Sequence, residues 1–183
     1  VTLVGRPAEN HPQQTARRGP LELVDDRRTP PDLLAECAAL ADVDGFDLDV
    51  AATIDNTKAA AFYDLDLDGL RGAWWGRVWC NPPYSDCGAW VDKAHREAHR
   101  CEAIVMLLPA NRTEQRWWTD LVEPWRVDGP LEVYFLAGRR RFDRPGWIKP
   151  AKGDRPPFGL CVVVWRGDAG WTAHLEVEAG DRG

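Results

Sequence analysis

Apolar positions along this chain come in short runs, and the runs switch between two spacings. After Thr29-Pro30-Pro31, apolar Leu33, Leu34, Cys37 and Leu40 recur at helical intervals, which predicts a helix over 32–41. FDLDV at 46–50 alternates apolar and polar and then meets Ala51 and Ala52, which predicts a strand. A short helix is predicted over 56–62, a strand over 77–80 and a helix over 88–100. The unbroken apolar run AIVMLL at 103–108 predicts a buried strand, followed by a helix over 113–122. Further strands are predicted over 131–136, 160–165 and 171–177. Strands alternating with helices over the first two-thirds indicate an α/β fold with a largely parallel sheet. Ligands in such sheets sit outside the carboxyl ends of the strands. Residues 1–28 lack periodicity and read as a mobile arm, leaving one domain over 29–178.

Composition sharpens this in three ways. With 183 residues and 44% hydrophobic content, the chain can bury one sizeable core, and no apolar run approaches a membrane span. A soluble intracellular protein with no membrane partner is expected, as a monomer or weak dimer. The five cysteines are scattered without a CxxC pair, so free buried thiols are expected, not a disulfide framework or zinc site. The net charge of −6 argues against a protein that coats nucleic acid generally. Between Gly138 and Arg155, however, seven basic residues face only Asp143 and Asp154, a local charge of +5. That loop suits approach to a polyanion, with Arg139, Arg140, Arg141, Arg144, Trp147 and Lys149 as candidate contacts. Solvated arginines, or arginines paired with the many carboxylates, are the plainer reading of the same run. His95 and His99 lie four apart, but the intervening glutamate is misplaced for a zinc helix, so a polar helix face is expected and no metal. Trp74, Trp75, Trp79, Trp90, Trp117 and Trp118 read as packing residues.

The chemistry concentrates in WCNPPYSD, at 79–86. Two prolines cannot extend a sheet ladder, so Pro82 and Pro83 form a stiff corner where the strand ends. The Asn81 side-chain carbonyl and the Pro82 peptide carbonyl can each accept a hydrogen bond from one –NH2 group. Holding both N–H bonds in tetrahedral geometry draws the nitrogen lone pair out of conjugation and aims it at an electrophile. Tyr84 supplies a flat face for a planar amide or base. A reverse turn alone would use Asn and Pro but would not need that aromatic. The acceptor stays open here: adenine N6, cytosine N4 and an amide all present such a group, and a non-catalytic DNA-binding relative is the rival from another class.

These residues carry a resemblance. NPPY is a motif of S-adenosylmethionine-dependent methyltransferases acting on exocyclic or amide nitrogens, and the chain resembles the phage-type Dam family of DNA adenine-N6 methyltransferases. The likeness runs through Thr29-Pro30, FDLDVAA (46–52), Asn56 with Lys58, DGL (68–70) and Trp74. It continues through VWCNPPYS (78–85), MLLPA (106–110), Trp117-Trp118, FLAGRRRF (135–142) and PPFGLCVVVW (156–165). It implies a compact Rossmann-like methyltransferase fold, a mostly parallel sheet with an antiparallel C-terminal strand pair. It also implies S-adenosylmethionine as cofactor, adenine N6 in double-stranded DNA as acceptor, and a phage-encoded protein acting inside a bacterial cytoplasm. By resemblance, Asn81, Pro82 and Tyr84 grip and stack an extruded adenine while Pro83 shapes the turn. Thr29, Pro30, Asp49, Val50, Ala51, Ala52 and Asp68 would border the cofactor, although Asp49 and Asp68 also fit ordinary turns. The glycine-rich cofactor loop of the wider class is absent, since Val50-Ala51-Ala52 follows Asp49. Little room is left for a separate recognition domain, so a short or relaxed target preference is expected.

Overall fold

The computed structural model describes residues 28–143 and 157–167. Residues 1–27 of the predicted arm, the strand over 171–177, and Arg144, Trp147 and Lys149 lie outside the described residues; Arg28, also read as part of the arm, instead forms an antiparallel bridge with Asp143. Six strands form one sheet: β1 (Leu48–Asp49), β2 (Ala61–Phe62), β3 (Gly76–Cys80), β4 (Cys101–Pro109), β5 (Leu131–Phe135) and β6 (Leu160–Arg166). Their spatial order is β2-β1-β3-β4-β6-β5. The first four are mutually parallel, and β6 runs antiparallel to both β4 and β5. The expected α/β arrangement, with an antiparallel pair at the C-terminal end, is what forms.

From Ala103 onward β4 is apolar because both its faces are covered: Ala103 to Leu108 are all at or below 1% exposed. β6 lies beside it and buries Leu160 to Trp165 to the same degree. The shorter β1 is held against β3 by a charged clamp. The Asp47 carboxylate accepts from the Arg77 backbone N–H at 2.8 Å and from its guanidinium at 2.9 and 3.0 Å, while the Asp47 N–H donates to the Arg77 carbonyl. Those bonds hold the Asp47 carboxyl down at about 2, and they set the register Leu48↔Val78, Asp49↔Trp79.

Helix α1 (Pro31–Leu40) starts on Pro31, whose missing N–H is no loss at a first helical position, and it buries Leu33 and Cys37. Helix α2 (Cys87–Glu97) buries Cys87, Trp90, Val91 and Ala94. On the same helix, Lys93 pairs with Glu97 at 2.8 Å, and Glu97 also accepts the Trp74 N–H at 3.2 Å. The helix predicted over 113–122 begins later, as α3 (Arg116–Leu121), and is followed by a separate α4 (Glu123–Asp128). Pro124 in the first turn of α4 explains the restart: its ring suits a helix start and not a helix interior.

Two further expectations are corrected. Residues 56–62 are not helical. The N–H groups of Asn56 and Thr57 both donate to the Thr53 carbonyl, and the Asn56 side chain takes the Thr53 N–H at 2.7 Å. Such side-chain bonds favour turns over helix, and the following Ala61–Phe62 pairs with β1 as the edge strand β2. Trp75 is no core residue but 49% exposed, whereas its neighbour Trp74 is buried with its indole N–H on the Gly69 carbonyl at 2.8 Å. All five cysteines are free and buried, as expected; burial pushes the Cys37, Cys101 and Cys161 thiols up to about 12. His95 packs edge-on against Trp125, at 4.7 Å between ring centres.

Candidate active site

The parallel pairing of β1 with β3 brings their carboxyl ends side by side. Asp49 lies opposite Trp79, and the Val50 N–H continues the ladder to the Trp79 carbonyl at 3.1 Å. Asn81 follows two residues later. Between these ends opens a polar cleft lined by Arg28, Thr29, Asp49, Ala51, Asn56, Lys58, Trp79 and Asn81.

Asp49 is 2% exposed. Its carboxylate accepts the Ala51 N–H at 3.3 Å and the Lys58 N–H at 2.9 Å, so it braces the loop after β1 while lining the cleft. Burial pushes the carboxyl up to about 6, against the lowering pull of those two N–H groups and the Lys58 charge. Thr29 closes the opposite side. It is 3% exposed, and its Oγ1 accepts from Asn81 Nδ2 at 3.3 Å. This contact orients the Asn81 amide, with its nitrogen toward Thr29 and its oxygen turned the other way. Arg28 donates to the Asp55 carbonyl at 3.3 Å and exchanges two backbone hydrogen bonds with Asp143, fastening the segment before α1 over the cleft.

The corner itself is rigid. The Pro83 carbonyl accepts the Asp86 N–H at 3.0 Å, which winds 84–86 into a single tight turn leading into α2. Among the described residues no hydrogen-bond donor meets the Pro82 carbonyl. Tyr84 is 7% exposed, and the rings of Phe142 and Phe158 stand edge-on to it at 6.2 and 5.9 Å. The Tyr84 carbonyl accepts from the Arg112 guanidinium, and the Cys87 thiol lies 3.6 Å away.

Of the predicted cofactor residues, the fold gathers Thr29, Asp49 and Ala51 with Asn81. Pro30 sits beside them, but its carbonyl starts α1 by accepting the Leu34 N–H. Val50 and Ala52 are buried beside the cleft, with their backbone N–H groups on the Trp79 and Tyr63 carbonyls. Asp68 stands apart from the lining, paired with Arg71 at 3.1 Å in a turn where its own φ is 51°. The next residue, Gly69, is packed so tightly that a Cβ there would lie 2.0 Å from the Val50 carbonyl oxygen. In the basic run, Arg139 is exposed. Arg140 is bound to Glu36 of α1 at 2.6 Å, the plainer of the two readings for that residue. Arg141 is half-buried.

The candidate list from sequence did not include Arg28, Asn56, Lys58 and Trp79 as lining, or Arg112, Phe142 and Phe158 around Tyr84. Asn56 and Lys58 were visible through the family likeness. Arg112 had no sequence signal, because the bond to Tyr84 joins residues 28 apart.

The donor set fits S-adenosylmethionine. Arg28 and Lys58 offer cations for a carboxylate, Asp49 offers a buried acceptor for an ammonium, and Ala51 leaves room at the backbone. A protein described as an RNA methyltransferase from Pyrococcus horikoshii superposes with a TM-score of 0.52 at 14% identity, covering 81% of this chain and 88% of that one, a likeness of fold. A DNA N-6-adenine-methyltransferase of Escherichia phage T1 is 38% identical over 78 residues, 41% of this chain. That match spans 32% of the length of the phage protein. Residues 18–156 match the family model of the DNA N-6-adenine-methyltransferases (Dam), a span that holds both the cleft and the NPPY corner, and the chain belongs to that family.

Proposed function

We propose that this protein transfers a methyl group from S-adenosylmethionine to N6 of adenine in double-stranded DNA. The observation that carries this reading is that one residue, Asn81, both borders the polar cleft and begins the proline corner. Donor and acceptor sites therefore meet at a single side chain.

The cofactor supplies an electrophilic methyl group on a sulfonium. Arg28 and Lys58 would hold its carboxylate, and Asp49 would hold its ammonium. On the acceptor side, Asn81 Oδ1 and the Pro82 carbonyl each accept one N6–H bond, so the amine presents its lone pair in line with the methyl group. The amine would take the methyl group with the thioether as leaving group, and the alkylated nitrogen would then lose its proton to water, so no strong base is required of the protein. Catalysis rests on positioning and on the fixed carbonyl dipoles. Adenine lies inside the duplex stack, so it must be extruded to reach the corner. It then shares the Tyr84 surface with Phe142 and Phe158.

The test is transfer of labelled methyl groups to unmethylated DNA, with product nucleosides identified by mass spectrometry. N6-methyladenine is expected from the wild type. Asn81→Ala should lower the rate by at least a hundredfold, in keeping with loss of an oriented transition-state contact, while calorimetric S-adenosylmethionine affinity changes far less. N4-methylcytosine, or label in RNA or protein but not DNA, would overturn the acceptor assignment.

A further inference from the structure

Arg112 lies on the loop that leaves the carboxyl end of β4, the strand paired with β3, so it stands beside the NPPY corner. Its Nη1 donates to the Tyr84 carbonyl. The same loop is tightened where the Gln115 N–H donates to the Arg112 carbonyl at 3.1 Å. The side chain is half-buried, and among the described residues no carboxylate pairs with it. Arg77, Arg126, Arg140 and Arg166 each meet one.

A guanidinium drawn partly out of water without a counter-charge is costly, and it is retained where an anion arrives. Five N–H donors in a rigid fork leave several for a second acceptor after one has gone to Tyr84, and that fork matches phosphate oxygens. The residue it anchors is the one on which the target base is to stack. An extruded nucleotide brings its own phosphates to that place. We infer that Arg112 binds a phosphate flanking the target adenosine while it holds the Tyr84 carbonyl. It is thus a positioning residue that couples capture of the DNA backbone to the shape of the corner. This rests on the DNA reading above.

The test uses duplexes containing an adenine that the wild type is shown to methylate, with the phosphate on its 5′ or 3′ side replaced in turn by an uncharged methylphosphonate. Arg112→Ala should weaken DNA binding about tenfold and flatten the log–log salt slope by about 0.9, the share of one phosphate. Methylphosphonate at the contacted position should weaken the wild type yet add nothing in the Ala variant. Arg112→Lys, which keeps the charge, should recover part of the slope, and unchanged S-adenosylmethionine affinity in both variants would show that the fold is intact. If both methylphosphonates weaken Arg112→Ala as much as the wild type, the phosphate contact is wrong although the enzyme assignment stands. A wild type that methylates no adenine in DNA would remove the assignment, and this inference with it.

Discussion

Asp49 is a carboxylate held where water hardly reaches it. Burial raises its pKa to about 6 from an ordinary value near 4, so the folded state favours the protonated form more than the unfolded chain does. Its contribution to stability is therefore full below about pH 4 and is lost as pH rises through 6. For ligand binding the sign reverses, because only the ionised form attracts an ammonium. S-adenosylmethionine affinity is expected to fall as pH drops from 7 to 5, with an inflection near 6. Asp49→Asn should abolish that inflection and bind weakly at every pH. Calorimetric titration across this range checks it; an unchanged inflection in the variant would assign the proton elsewhere. The same residue shows how function and turn formation overlap. Its hydrogen bonds to Ala51 and Lys58 are an ordinary loop brace, and the cleft opens on the same side chain.

Among the elements, the close approach of Gly69 to β1 governs the cleft most directly. A methyl group on Gly69 would stand 2.0 Å from the Val50 carbonyl oxygen and 3.0 Å from the Trp90 ring, closer than van der Waals contact, so the chain must move. Gly69→Ala is expected to destabilise the protein by roughly 1–3 kcal/mol, the usual cost of overpacking. It should also weaken S-adenosylmethionine binding by displacing the loop that carries Ala51. Thermal denaturation and calorimetry together test this, and a variant with wild-type affinity would show that the cleft tolerates the shift. The elements most legible in the sequence were those with long, one-sided or unbroken apolar patterns: α1, α2, β4 and β6. The edge strand β2 was not legible. Two residues cannot display a period, and Ala61–Phe62 becomes a strand only because β1 offers it a ladder. The predicted helix stopped at 122, close to where α3 ends, and α4 was not among the predicted elements, because six residues opening on Pro124 show little period.

At the scale of the whole molecule, an acidic body carries one basic run. The arginines within that run have separate fates. Arg140 is tied to Glu36, and Asp143 is tied to Arg28, so this part of the run fastens the segment before α1 and helps close the cleft. Arg139 is exposed. Arg139→Ala is expected to reduce the salt slope of DNA binding by about one phosphate equivalent, with thermal stability unchanged. Arg140→Ala should leave the slope alone and act on cofactor affinity. Binding measured from low to physiological salt separates the two, and equal slopes for both variants would sink the division. No helix among the described residues is long and apolar enough to cross a membrane.

The chain's amino-acid order by itself determined the α/β pattern, the buried thiols, the stiff NPPY corner and its likeness to nitrogen methyltransferases. Each of these is local: an apolar period, a proline pair, a motif only a few residues long. Tertiary structure alone decided that Thr29 orients the Asn81 amide, that Lys58 and Arg28 join Asp49 in one cleft, and that Arg112 reaches the Tyr84 carbonyl. Those contacts join residues far apart along the chain, and they exist only because parallel strand pairing sets the carboxyl ends of β1, β3 and β4 along one edge. Local pattern specifies which residues can form a strand; the register between strands specifies which side chains meet where the strands end.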